Sequence, residues 1–89
     1  MAFLGMDVEQ VRQLARQMDA KAQTIDEIVS TLSSQLQSTD WKGSDADQFR
    51  NQWNSDLTTK LRQVSQALKE ASQTATRNAQ AQDSTSASL

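Results

Sequence analysis

The chain has 89 residues, a formal net charge of −2, and no Cys, His, Tyr or Pro. Disulfide and thiol chemistry are therefore excluded, the commonest general base and metal ligand is missing, and a basic face for nucleic acid is not expected. A chain this short buries only a little over ~60% of the surface its unfolded form exposes, so a lone core is marginal.

No apolar run approaches the ~20 residues needed to span a bilayer. The opening Met1-Ala2-Phe3-Leu4-Gly5-Met6 is apolar, but it is too short for a signal-peptide core and no basic residue precedes it. The Ala2-Phe3-Leu4 piece is expected to fold back onto a helical bundle rather than enter a membrane.

Asp7 suits a helix N-cap, with Gln10 as capping-box partner, and Met6 and Val11 are spaced as a hydrophobic staple. Apolar residues then fall at Val8, Val11, Ala15, Met18, Ala22, Ile25, Val29, Leu32 and Leu36. After the first step the spacing alternates four and three, which is a heptad seam. Leu14 and Ile28 widen the stripe, and Arg12, Arg16, Asp19, Lys21, Asp26 and Glu27 form the solvated face. The pattern predicts a first helix over 8–38.

The stripe fails at Asp40-Trp41-Lys42-Gly43-Ser44. Gly43 weakens a helix by ~1 kcal/mol relative to Ala. Ser44 offers a fresh N-cap, and Asp45 and Asp47 place negative charge where the next helix dipole favours it. A turn over 39–44 follows. The second arm carries Ala46, Phe49, Trp53, Leu57, Leu61, Val64, Leu68, Ala71 and Ala75. Three successive steps of four bring its mean period near 3.6, which suits a nearly straight helix among several neighbours. Asp56 and Lys60 form an i,i+4 pair in the favourable order. The second helix is predicted over 45–78. The Gln-, Ser-, Ala- and Thr-rich tail over 79–89 is predicted to be disordered.

Two such helices make an antiparallel αα-hairpin, and the fold class is all-α. Each stripe is wider than one facing helix can cover. Burying a large apolar side chain stabilises by about 1.5–3 kcal/mol, so the wide stripes predict dimerisation into a four-helix bundle. The predicted hairpin and dimer core is Val11, Met18, Ile25, Val29, Leu32, Leu36, Phe49, Trp53, Leu57, Leu61, Val64 and Leu68. The partner is a second copy or a different hairpin, paired parallel or antiparallel.

Two helices of this length flanking Trp41-Lys42-Gly43, with Ala46, Phe49 and Trp53 in phase behind the glycine, resemble the WXG family of ESAT-like proteins associated with type VII secretion. The resemblance runs from Asp7 to about Ala75. It implies homodimers or heterodimers that leave the cell folded, without a cleaved signal peptide, through a machine driven by an ATPase. It also implies a bipartite export signal, with the Trp-x-Gly turn of one subunit beside a Tyr-x-x-x-Asp/Glu motif of the other. This chain departs from that pattern: the nearest match is Ala79-Gln80-Ala81-Gln82-Asp83, with alanine in place of the tyrosine.

Trp41 and Gly43 are thus the candidate site. Trp41 is expected to close the bundle end while offering an indole edge for docking, and Gly43 to permit the turn. Phe49 and Trp53, one helical turn apart, are expected in the core. Asp40, Asp45 and Asp47 lack a Ca²⁺-loop pattern, so no metal is expected, and no cofactor. The serines have no evident activating base, so an enzyme is not expected. Mixed charge on the polar faces argues against a membrane-active helix. The reading is a non-enzymatic substrate or partner of a type VII secretion system. The alternatives are a structural or adaptor bundle that stays in the cytoplasm and, with less support, a membrane-active effector.

Overall fold

A computed structural model describes residues 5–88, with side chains through 85. The expected fold-back of Ala2-Phe3-Leu4 lies outside the described residues. Helix α1 spans Val8–Ser38. After a short turn, α2 spans Ser44–Gln52, a single π-helical turn covers Trp53–Leu57, and α3 runs over Thr58–Ser88. No strand occurs among the described residues. Gln52, Trp53 and Thr58 keep right-handed helical dihedrals, so α2, the π turn and α3 form one uninterrupted rod. The molecule is an all-α hairpin measuring 67 × 17 × 14 Å.

α1 starts where the sequence places it. The Asp7 carboxylate accepts a 3.0 Å hydrogen bond from the Gln10 amide, which satisfies one of the orphan donors of the first turn. The arms run antiparallel, with Ser33 against Trp53, Ala22 against Ser65, Ala15 against Ser72 and Arg12 against Asp83.

The seam between the arms is built from small residues. Ala15, Ala22 and Val29 recur every seventh residue on α1, and Thr58, Ser65, Ser72 and Ala79 do so on α3, and all seven are buried. Small side chains let two helix backbones approach closely. The hydroxyls of Ser65 and Ser72 cross the seam and donate to the carbonyls of Ala22 and Ala15, at 3.1 and 2.6 Å. Each buried hydroxyl thereby finds its acceptor, which a polar group in a dry seam requires.

The π turn sets this register. Ala46 and Trp53 are buried seven residues apart, yet the next buried position is Thr58, five further on. A regular heptad would place Leu57 on the line after Trp53. The one extra residue held in the π turn rotates α3 by about 100°. Thr58, Ser65 and Ser72 enter the seam, and Leu57, Val64 and Ala71 move to its flank. The hydroxyls of Ser55, Thr58 and Thr59 donate to carbonyls four residues earlier, around this turn.

Two expectations need correction. The second arm does not end near residue 78: α3 continues to Ser88, through most of the predicted disordered tail. The seam needs no large apolar residue there. Ala79 is fully buried, and the Arg12 guanidinium donates to Gln80 and pairs with Asp83 at 3.2 Å. Ser44 is not the N-cap of the second arm. Gly43 holds that position, with φ +118° and ψ 174°, and its carbonyl accepts from the Asp47 amide at 3.0 Å. That dihedral lies where side chains other than glycine are rarely tolerated. Open space surrounds the position, so the backbone angle alone requires the glycine.

Candidate functional site: the turn end and the apolar face

The closed end of the hairpin gathers three aromatic rings. The centroids of Trp41 and Phe49 are 6.0 Å apart and tilted by 43°, and those of Phe49 and Trp53 are 6.5 Å apart and nearly parallel. The separations fall in the range favoured by aromatic pairs. Trp53 is 6% exposed, and its indole N–H donates to the Ser33 hydroxyl at 2.9 Å. Trp41 differs on both counts. It is 41% exposed, and its indole N–H donates no hydrogen bond among the described residues. Trp53 is the structural tryptophan and Trp41 is the accessible one. Phe49, expected in the core, is 38% exposed at the mouth of an apolar cleft of about 300 Å³, lined by Leu32, Gln35, Leu36, Thr39, Phe49 and Trp53.

Beyond the turn, the hairpin has two unlike broad faces. At 100° per residue, Asp26, Ser30 and Ser33 lie to one side of the buried Val29, and Ile25, Ile28 and Leu32 to the other. Around Ser65 the same geometry separates Arg62, Gln66 and Lys69 from Leu61, Val64 and Leu68. One groove collects the polar set from both arms: Asp26, Ser30, Ser33, Arg62, Gln66 and Lys69 line it together. In an antiparallel pair the apolar sets then share the opposite face.

Of the predicted core, only Val29 and Trp53 are buried by the hairpin itself. Val11, Met18, Ile25, Leu36, Leu57, Leu61 and Leu68 are half-buried. Leu32, Phe49 and Val64 are exposed, as are Leu14 and Ile28. The large apolar residues thus flank the small-residue seam rather than fill it.

On the polar face, Lys69 bridges to Asp26 at 2.8 Å. The hydrogen bond from Lys69, with the nearby Ser65 hydroxyl adding to it, holds the Asp26 carboxyl below the usual aspartate range. No group of three or more acidic, His or Cys side chains is placed to hold a metal among the described residues.

One residue that organises the turn escapes the sequence reading. Arg50, on α2, donates from Nη1 to the Trp41 carbonyl at 2.7 Å, and from Nη2 to the carbonyls of Thr39 at 3.0 Å and Leu36 at 3.4 Å. Helix α1 has no basic side chain in its own last turn. The signal was the lone cation just after Asp45 and Asp47, on the helix that follows such an unprotected C-terminus.

The WXG100 family model, described as proteins of 100 residues with WXG, matches residues 4–85. The chain belongs to the WXG100 family. The match covers both arms and the Trp41-Lys42-Gly43 turn between them. No curated protein and no solved structure matches the chain. Membership makes it a small helical protein of the kind associated with type VII secretion, a family of non-enzymatic secretion substrates or partners. No described helix of this WXG100 protein is long and apolar enough to cross a membrane.

Proposed function

We propose that this WXG100 protein works by binding: its apolar face pairs with a second hairpin, a copy of itself or another WXG-type chain, to complete a four-helix bundle. The turn around Trp41 and Gly43 is the end that a secretion component recognises. The uncovered apolar face carries the reading. Leu14, Ile28, Leu32 and Val64 remain exposed on a chain too small to leave them so at no cost. A hairpin 67 Å long and 17 Å wide also offers more than the roughly 800 Å² per partner of a standard interface. The protein leaves the cell folded, without a cleaved signal peptide, driven by a type VII secretion ATPase. The mixed charge of both arms supports neither nucleic acid nor membrane as a partner.

A second reading, an adaptor bundle that is not exported, draws on the segment over 79–83. The tyrosine of the export motif is alanine here, Ala79 is fully buried, and Asp83 is held by Arg12. The experiment is to assay the culture medium for the intact chain with and without the secretion ATPase, beside light scattering of the purified protein. Export that needs the ATPase, with a mass of two chains, is expected. Retention in both strains leaves the adaptor reading, and a stable folded monomer overturns pairing with a second copy.

A further inference from the structure

At the end of α1 the Gln35 carbonyl accepts from the Ser38 and Thr39 hydroxyls and the Thr39 carbonyl from the Trp41 amide, and Arg50 adds a donor from the second arm. Its planar fork spans Leu36, Thr39 and Trp41, so a single guanidinium caps the end of α1 and pins the first residues of the turn. A cation at a helix C-terminus is favoured by the macrodipole. The Arg50 guanidinium carbon also lies 6.0 Å from the centre of the Trp41 ring, at the edge of cation–π range. Phe49 approaches the same ring at 6.0 Å. Trp41 is therefore held at its backbone by a 2.7 Å hydrogen bond and at its ring by two neighbours, while its own N–H finds no acceptor among the described residues.

We propose that Arg50 is the positioning residue for Trp41: it fixes the turn so that the indole meets a docking partner in one pose, with its N–H available to an acceptor oxygen of that partner. The proposal rests on the reading of the turn as a recognition end. Ordering an aromatic anchor before binding spares the partner the cost of immobilising it. Lysine cannot substitute, because one ammonium cannot reproduce a planar fork across three carbonyls.

The test labels the full chain with 5-fluorotryptophan, so that Trp41 and Trp53 report separately in fluorine NMR, assigned through Trp41→Phe. In Arg50→Lys and Arg50→Gln, the Trp41 resonance is expected to sharpen and move toward the free amino acid. Trp53, helicity and molecular mass should stay unchanged, and export should drop to the level of Trp41→Ala. An unmoved Trp41 resonance in both variants overturns the proposal. So does joint loss of both resonances with helicity, which would make Arg50 a cap for the fold and nothing more. Export of Trp41→Ala at the wild-type level sinks the recognition reading itself. Export lost in Trp41→Ala but retained in both Arg50 variants sinks only the role of Arg50.

Discussion

The Ser72 hydroxyl donates a 2.6 Å hydrogen bond to the Ala15 carbonyl, joining residues 57 positions apart, and Ser65 does the same to Ala22 seven residues earlier. The seam that holds the arms together is thus narrow, dry and stitched by hydroxyls. Replacing Ser65 by Ala removes one such bond and should cost about 0.5–1.5 kcal/mol. Replacing it by Leu forces a larger side chain against the fully buried Ala22 and should cost about 1–3 kcal/mol. Urea melts followed by circular dichroism check both, and a Leu variant as stable as the parent would contradict the close seam.

Trp53 depends on Ser33 in the same manner. Ser33→Ala leaves a largely buried indole N–H without its partner and should destabilise by about 1–3 kcal/mol. Trp53→Ala, which empties the site, should cost about 3–5 kcal/mol. Thermal melts of the two variants test the order. Trp41→Ala, at the exposed ring, should cost less than Trp53→Ala.

The apolar face can be tested without touching the seam. Ile28 and Val64 are exposed in the hairpin, so Ile28→Asp with Val64→Asp should leave the isolated arms paired. On contact with a second hairpin the two carboxylates would be buried unpaired, which is strongly unfavourable. Sedimentation should show a monomer that remains helical. A dimer of unchanged affinity would place the interface elsewhere.

Acid should loosen the polar side. The Asp26 carboxyl lies below its ordinary value of 3.8, chiefly through Lys69. A carboxyl depressed in the folded state contributes stability that is complete above its unfolded value. The contribution is lost as pH falls through the folded value. Stability should therefore be insensitive to this pair above about pH 5 and should decline below about pH 4. The Asp26→Asn variant should lack that part of the decline, and an identical acid profile would show the pair to be idle. Both side chains are over a third exposed, so the effect is small.

The sequence made the architecture readable wherever a pattern stood for one physical cause. The Asp7 cap and the alternating stripe bounded α1 at Val8 and Ser38, and Gly43 marked the turn. Other features were hidden because their cause was not apolar. The seam uses Ala, Ser and Thr, so a search for large residues finds the flanks and misses the line between them. The continuation of α3 past residue 78 was obscured for the same reason, since Ala79 holds it there without a large side chain. The π turn lay within the steps of four through Phe49, Trp53, Leu57 and Leu61, which read equally well as an ordinary straight helix. Arg50 was overlooked because its partners are carbonyls, and every sequence has those.

The π turn makes the second arm tolerant of losing one residue and intolerant of gaining one. Deleting Ser55 would remove the extra residue, let the turn relax into an ordinary α-helix and leave Thr58, Ser65 and Ser72 on the seam. Inserting one residue between Arg62 and Gln63 would instead turn everything beyond by about 100°, bringing Val64 and Ala71 toward Ala22 and Ala15 and moving Ser65 and Ser72 off the seam. A frame-preserving gain of one codon beyond the π turn would thus exchange the inside of the molecule for its flank. The loss of one codon within the turn would cost the π turn and keep the register.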